Sequence, residues 1–210
     1  MFKNEAGKPI LMKMVKAIQE NKAYLGEVDG LIGDGDHGMN MNKGFSLFGE
    51  RFADEDISFS EGLDELGMVL LNEIGGSMGP IYGTIFMAMA ETAEDEEEIS
   101  LELFSRMLDA GMEGLFDIVD ARVGDKTLVD TLSPACDALH DAISAGKSFC
   151  AALEEMKAAA LAGKESTKDL VAKYGRSSRL GERSRGVLDA GATSCCIILT
   201  AMAEGIQEIL

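Results

Sequence analysis

The residues best suited to chemistry lie between Glu27 and Gly44, in the stretch EVDGLIGDGDHGMNMNKG. Asp29, Asp34 and Asp36 come first, then His37, one of only two histidines in the chain, with Asn40 and Asn42 directly behind. Carboxylate oxygens suit hard divalent cations such as Mg2+, which complete their shell with water and phosphate oxygens. Glycines allow tight turns and let backbone N–H groups approach phosphates closely. The pattern describes a metal-bridged nucleotide site. It equally describes a polar surface turn, because Asp-Gly and Gly-Asp are ordinary turn dipeptides. The rest of the chain has to decide between them.

Three other stretches bear on that choice. GGSMGPIYGT, Gly75 to Thr84, reads as a glycine- and serine-bearing turn, either a second phosphate or ribose contact or a tight helix–helix connection. GDKTLVDTLSPACDAL, Gly124 to Leu139, opens on a Gly-Asp turn and continues into a helix. Lys126 and Thr127 invite a P-loop reading, but Asp125 separates the glycine from the lysine. Gly146-Lys147-Ser148 fails as well, because Asp141 stands where that motif needs glycine. Lys173 to Ser194 is a long segment that concentrates Arg176, Arg179, Arg183 and Arg185. Connections of that length are uncommon in compact domains. It is either a solvated loop or a lid over an anionic ligand.

The elements that must position these residues are helical. Apolar positions at spacings of three and four predict a first helix over Ile10 to Leu25, with Pro9 at its start and the aspartate stretch as a loop beyond it. A second helix is expected from about Met39 to Phe52, which puts His37, Gly38 and Asn40 around a helix amino terminus that favours anions. Ser58 and Glu61 predict a capping box for a third, ending at Gly75-Gly76. The acidic run Glu91 to Glu98 is expected to be a solvated helix end or linker. Ser100 caps a helix through Val119, and the alanine-rich Lys147 to Ala162 forms another. Ser166 and Thr167 start an element reaching Lys173, and the last helix runs from Thr193 to Leu210. Almost no β alternation is present, so the class is all-α, up-and-down. Counting helices then places the four glycine-rich connections, after the first, third, fifth and seventh helices, at one end.

Length and composition set the outer bounds. The 210 residues suit one domain, and a formal net charge of −18 argues against nucleic-acid binding, which needs a basic face. It leaves nucleotide binding open, because metal ions supply local positive charge. Cys136, Cys150, Cys195 and Cys196 form no C-x-x-C pair and are read as reduced and cytoplasmic. The amino terminus lacks the apolar core of a signal peptide, and no run approaches the ~20 residues of a membrane span.

Five stretches together resemble the L subunit of bacterial dihydroxyacetone kinase, the nucleotide-binding DhaL domain family. They are IGDGDHGMNMNKGF, GGSMGPIYGT, GDKTLVDTL, GRSSRLGERS and DAGATS, in the family's order. The resemblance implies one nucleotide-binding domain over residues 1–210. Its fold would be a closed barrel of about eight antiparallel amphipathic helices, with the nucleotide at one end. It implies ADP or ATP as the nucleotide, bridged by two Mg2+ ions on Asp29, Asp34 and Asp36. Nucleotide contacts fall to His37, Asn40, Met41, Ser77, Met78, Leu128, Arg176, Asp189 and Gly191. The family's partners are a K subunit holding dihydroxyacetone covalently and a phosphohistidine-carrying M subunit that rephosphorylates bound ADP. A homodimer is compatible with this reading. The chain departs from the family at Arg179, often aromatic there, and at Val187-Leu188-Asp189-Ala190-Gly191, where His-Gln-Asp-Pro-Gly is common. The alternatives are an ATP-dependent kinase subunit for dihydroxyacetone or another short ketose, and a regulatory nucleotide-binding protein.

Overall fold

The computed structural model describes residues 1–210. Eight helices carry the chain: α1 (Lys8–Gly30), α2 (His37–Arg51), α3 (Phe59–Glu73), α4 (Met78–Thr92), α5 (Leu101–Ile118), α6 (Val129–Ser144), α7 (Phe149–Ser166) and α8 (Ala190–Ile209). Each packs against the next and α8 packs against α1, which closes the array. The expected all-α closed bundle is the observed one.

Local chemistry explains the helix starts. Pro9 sits in the first turn of α1, where its missing N–H is no loss. Ser58 Oγ accepts from Glu61 N at 3.2 Å while the Glu61 carboxylate accepts from Ser58 N at 3.0 Å, a complete capping box. Ser100 and Ser148 cap α5 and α7 by the serine oxygen alone, accepting from Leu103 N and Ala151 N. On α5 the residues Leu101, Phe104, Leu108 and Leu115 are buried, the stripe their spacing predicts. Fifty-one buried residues merge into one cluster inside the ring. All four cysteines are free, and no helix is long and apolar enough to cross a membrane.

Several boundaries differ from the sequence expectation. α1 continues five residues past Leu25, so Asp29 lies in its last turn and not in a loop. α2 begins at His37, α4 already at Met78 and α8 at Ala190, so each glycine-rich turn is shorter than expected. Glycine and aspartate are poor helix formers in isolation, but packing against neighbours outweighs that preference. Ser166 ends α7 instead of starting an element, and only one 3₁₀ turn, Thr167–Asp169, follows. The long segment after it is built partly of 3₁₀ turns over Arg176–Ser184.

The amino terminus was not anticipated. Two short strands, β1 (Phe2–Lys3) and β2 (Glu98–Ile99), pair antiparallel with Phe2 opposite Ile99. The acidic run therefore ends in a strand, and its acidic side chains are all exposed as expected. Asn4 fixes the junction, its Nδ2 donating to Ser60 Oγ and to Glu96 O, each at 2.8 Å. The Phe2 ring packs edge-on against Phe59 at 5.5 Å. These contacts join the α2–α3 and α4–α5 connections and seal that end of the bundle.

At the other end α1 and α2 approach at backbone distance. A Cβ on Gly38 would fall 2.1 Å from Lys22 O and 2.7 Å from Gly26 N. Backbone atoms cannot yield as a flexible side chain would. Gly38→Ala is expected to lower unfolding free energy by about 1–3 kcal/mol. Urea denaturation checks this, and an unchanged midpoint would contradict the close approach.

Candidate functional site

The last turn of α1 supplies Asp29, the short turn beyond it supplies Asp34, and Asp36 stands at the N-cap position of α2. The turn is tight because Gly33 N and Ile32 N both donate to Asp29 O, at 2.6 and 3.2 Å. One oxygen from each of the three carboxylates lies within 4.8 Å of the others. Asp29 is half-buried, while Asp34 and Asp36 are exposed. Asp29 Oδ2 also accepts from His37 N at 3.3 Å. Three clustered like charges repel one another, and two features offset that. The carboxylates gather at the positive end of α2, and Arg176 reaches in from the α7–α8 connection to place Nη1 2.6 Å from Asp34 Oδ2. An all-oxygen donor set of this kind fits a hard divalent cation.

Behind the carboxylates runs a buried hydrogen-bonded seam. His37 Nε2 and Ser194 Oγ are 2.9 Å apart, and Tyr82 Oη lies 2.7 Å from the same Ser194 Oγ. Tyr82 Oη also donates to Gly191 O at 3.3 Å. Burial lowers the His37 pKa, against the opposing pull of Asp29 and Asp36. Burial likewise raises the Tyr82 phenol well above its ordinary value. The seam ties α2, α4 and α8 together at one level.

The third connection joins the fourth beside it. Leu128, buried at the N-cap position of α6, abuts Gly191, where a Cβ would lie 3.6 Å from Leu128 N. Asp189 caps α8, its Oδ2 accepting from Ala192 N at 2.7 Å. Burial pushes the Asp189 carboxyl up to about 6, with the Ala192 donor and Lys126 working against that.

Alternate connections do therefore meet at one end. The structure brings Asp29, Asp34, Asp36, His37 and Arg176 together, and sets Leu128, Asp189 and Gly191 alongside through the seam. Asn40 is half-buried in the first turn of α2, and Met41 is fully buried behind it. Ser77 and Met78 stand at the start of α4, apart from the hydrogen-bonded set. Sequence reasoning did not single out Tyr82 or Ser194. Both lie inside the quoted stretches, but nothing about an isolated tyrosine or serine says it will meet a histidine from another helix.

A family model described as the DAK2 domain matches residues 31–204, more than half of the chain. This chain belongs to the DAK2 domain family. Among its relatives is the ADP-binding subunit DhaL of PEP-dependent dihydroxyacetone kinase 1 from Listeria innocua, 38% identical over 188 residues and covering 89% of each chain. The corresponding Escherichia coli K12 subunit is 38% identical over 188 residues, covering 88% of this chain and 89% of that one. The resemblance carried by the five stretches is thus borne out. The dihydroxyacetone kinase of C. freundii superposes with a TM-score of 0.72 at 22% identity, over 97% of this DAK2 domain and 35% of that chain. This chain spans about a third of that kinase, and the likeness shows a shared fold.

The seam makes a separate prediction for the DAK2 domain. Ser194→Ala leaves His37 Nε2 without its buried partner and removes one from Tyr82. Thermal unfolding should show a loss of about 1–3 kcal/mol. A melting temperature equal to wild type would mean that the seam contributes nothing.

Proposed function

We propose that this chain is the ADP- and Mg2+-binding subunit of a phosphotransferase-dependent dihydroxyacetone kinase. It transfers a phosphoryl group from bound nucleotide to dihydroxyacetone held on a separate K subunit, and a phosphohistidine-carrying M subunit restores the nucleotide. The carrying observation is the convergence of Asp29, Asp34 and Asp36 beside the α2 amino terminus and Arg176. It occurs in a chain whose relatives are described as ADP-binding subunits over most of their length. In this reading residues 1–210 form one nucleotide-binding domain, working in the cytoplasm.

The residues divide the work by chemistry. Asp29, Asp34 and Asp36 would hold Mg2+, which when bound neutralises phosphate charge and steadies the group being transferred. His37, Asn40 and Met41 lie in the first turns of α2, whose positive end favours phosphate oxygens. His37 takes part as a ring held in place by Ser194. Ser77 and Met78 present the start of α4 to the nucleotide, and Leu128 supplies an apolar wall. Arg176 is already at the carboxylates, within reach of a phosphate bridged to them. Asp189 and Gly191 complete the pocket. The acceptor hydroxyl comes from the K subunit, in keeping with the lack of a second nucleophilic centre in this chain.

Two measurements test the reading. Asp34→Ala and Asp36→Ala should each abolish Mg2+-dependent ADP binding, followed by calorimetry, while circular dichroism remains that of wild type. Retained binding would remove the carboxylates from the site. Mass spectrometry of nucleotide carried through purification should find ADP that does not exchange with labelled ATP. Free exchange would instead indicate a kinase using ATP directly.

A further inference from the structure

Lys126 stands in the α5–α6 turn, where its side chain is almost wholly buried at 1% exposure. It is also the one non-glycine residue with a left-handed backbone, φ 62°. A buried ammonium and a positive φ each cost free energy, and a fold retains both together only where other contacts demand them. A methionine would fill the same volume. What a methionine cannot do is donate hydrogen bonds to two carbonyls at once. Lys126 Nζ donates to Thr167 O, and to Val187 O at 2.5 Å.

Those carbonyls mark the two ends of the connection between α7 and α8. The ends are also stitched directly, Asp189 N donating to Thr167 Oγ1 at 3.0 Å and Gly186 N to Lys168 O at 2.7 Å. Asp125, the neighbour of Lys126, grips the segment at a third point. Its carboxylate lies 2.5 Å from Lys173 Nζ, and its carbonyl accepts from Lys173 N at 3.2 Å. Asp125 is itself held by Arg122 N at 2.8 Å, so the grip is anchored in the α5–α6 turn. Burial lowers the Lys126 pKa, while Asp189 and Asp130 pull it back up. Asp130 is fixed in turn by Gly124 N and Thr127 N, at 2.5 and 2.7 Å. Between the gripped points lies Arg176, the residue that reaches Asp34.

We propose that Lys126 is a positioning residue that clamps both ends of the segment 167–187, holds Arg176 at the carboxylates, and thereby slows the departure of a bound nucleoside diphosphate. The last part rests on the nucleotide-binding reading above. The clamp itself does not.

The test compares wild type with Lys126→Met, which keeps the stem and deletes the ammonium, and Lys126→Arg, which keeps the charge. Amide hydrogen exchange is followed in the full chain without nucleotide, and ADP release is then timed in Mg2+ by chase with excess unlabelled ADP. In Lys126→Met, exchange across 168–187 should rise at least about tenfold while α2 to α5 exchange as in wild type, and ADP should leave faster by a similar factor. Lys126→Arg should restore most of both effects. Wild-type exchange in the segment, or an increase spread evenly over all helices, would overturn the clamp. If Lys126→Met does not fold, Lys126→Gly removes the ammonium while relaxing the backbone, and the same two outcomes decide. A wild-type chain that binds no ADP would refute the nucleotide reading, and exchange alone would still judge Lys126.

Discussion

Closure of the helical ring is the constraint on which the rest depends. No sheet of any size holds these helices together, so the ring has to close by side-chain packing into the single buried cluster. α8 must come back against α1 for that cluster to exclude water. It does so at backbone distance, a Cβ on Gly205 lying 2.9 Å from Ile10 Cα. With eight helices and a closed ring, alternate connections fall at the same end. Ser194 then reaches His37 across 157 residues of sequence, and the α7–α8 connection arrives over the carboxylates of the α1–α2 turn.

The two ends use this closure differently. At one, Phe2 and Asn4 plug the bundle, and their polar groups are satisfied by the connections they bridge. At the other, polar groups are layered by depth. Exposed carboxylates face outward, a buried seam of histidine, serine and tyrosine lies beneath them, and apolar core begins below that. No buried side-chain nitrogen or oxygen lacks a partner. Such a seam is stable only when complete, because each unpaired member would carry the full cost of desolvation. The positive charges that matter locally, Arg176 and Lys126, both belong to the device that ties the long connection down. Arg176 lies at the aspartate cluster, and Lys126 lies beside Asp189 and Asp130.

The class, most of the helices and the gathering of the glycine-rich connections at one end were legible in the sequence. Amphipathic periodicity, serine caps and glycine punctuation are local signals, readable within one or two turns of chain. The capping box at Ser58, the stripe on α5 and the alternation of glycine-rich with other connections all needed no more than that. The aspartates were legible for the same reason: three carboxylates within eight residues stay together whatever surrounds them. Tertiary structure alone decided the rest. Helix ends moved by two to seven residues where packing outweighed the weak preferences of glycine and aspartate. β1 and β2 are too short to show a period and exist only as each other's partner. Ser194, Tyr82 and Lys126 take their meaning from atoms many residues distant, and a hydrogen bond across the fold leaves no trace in the spacing of either partner.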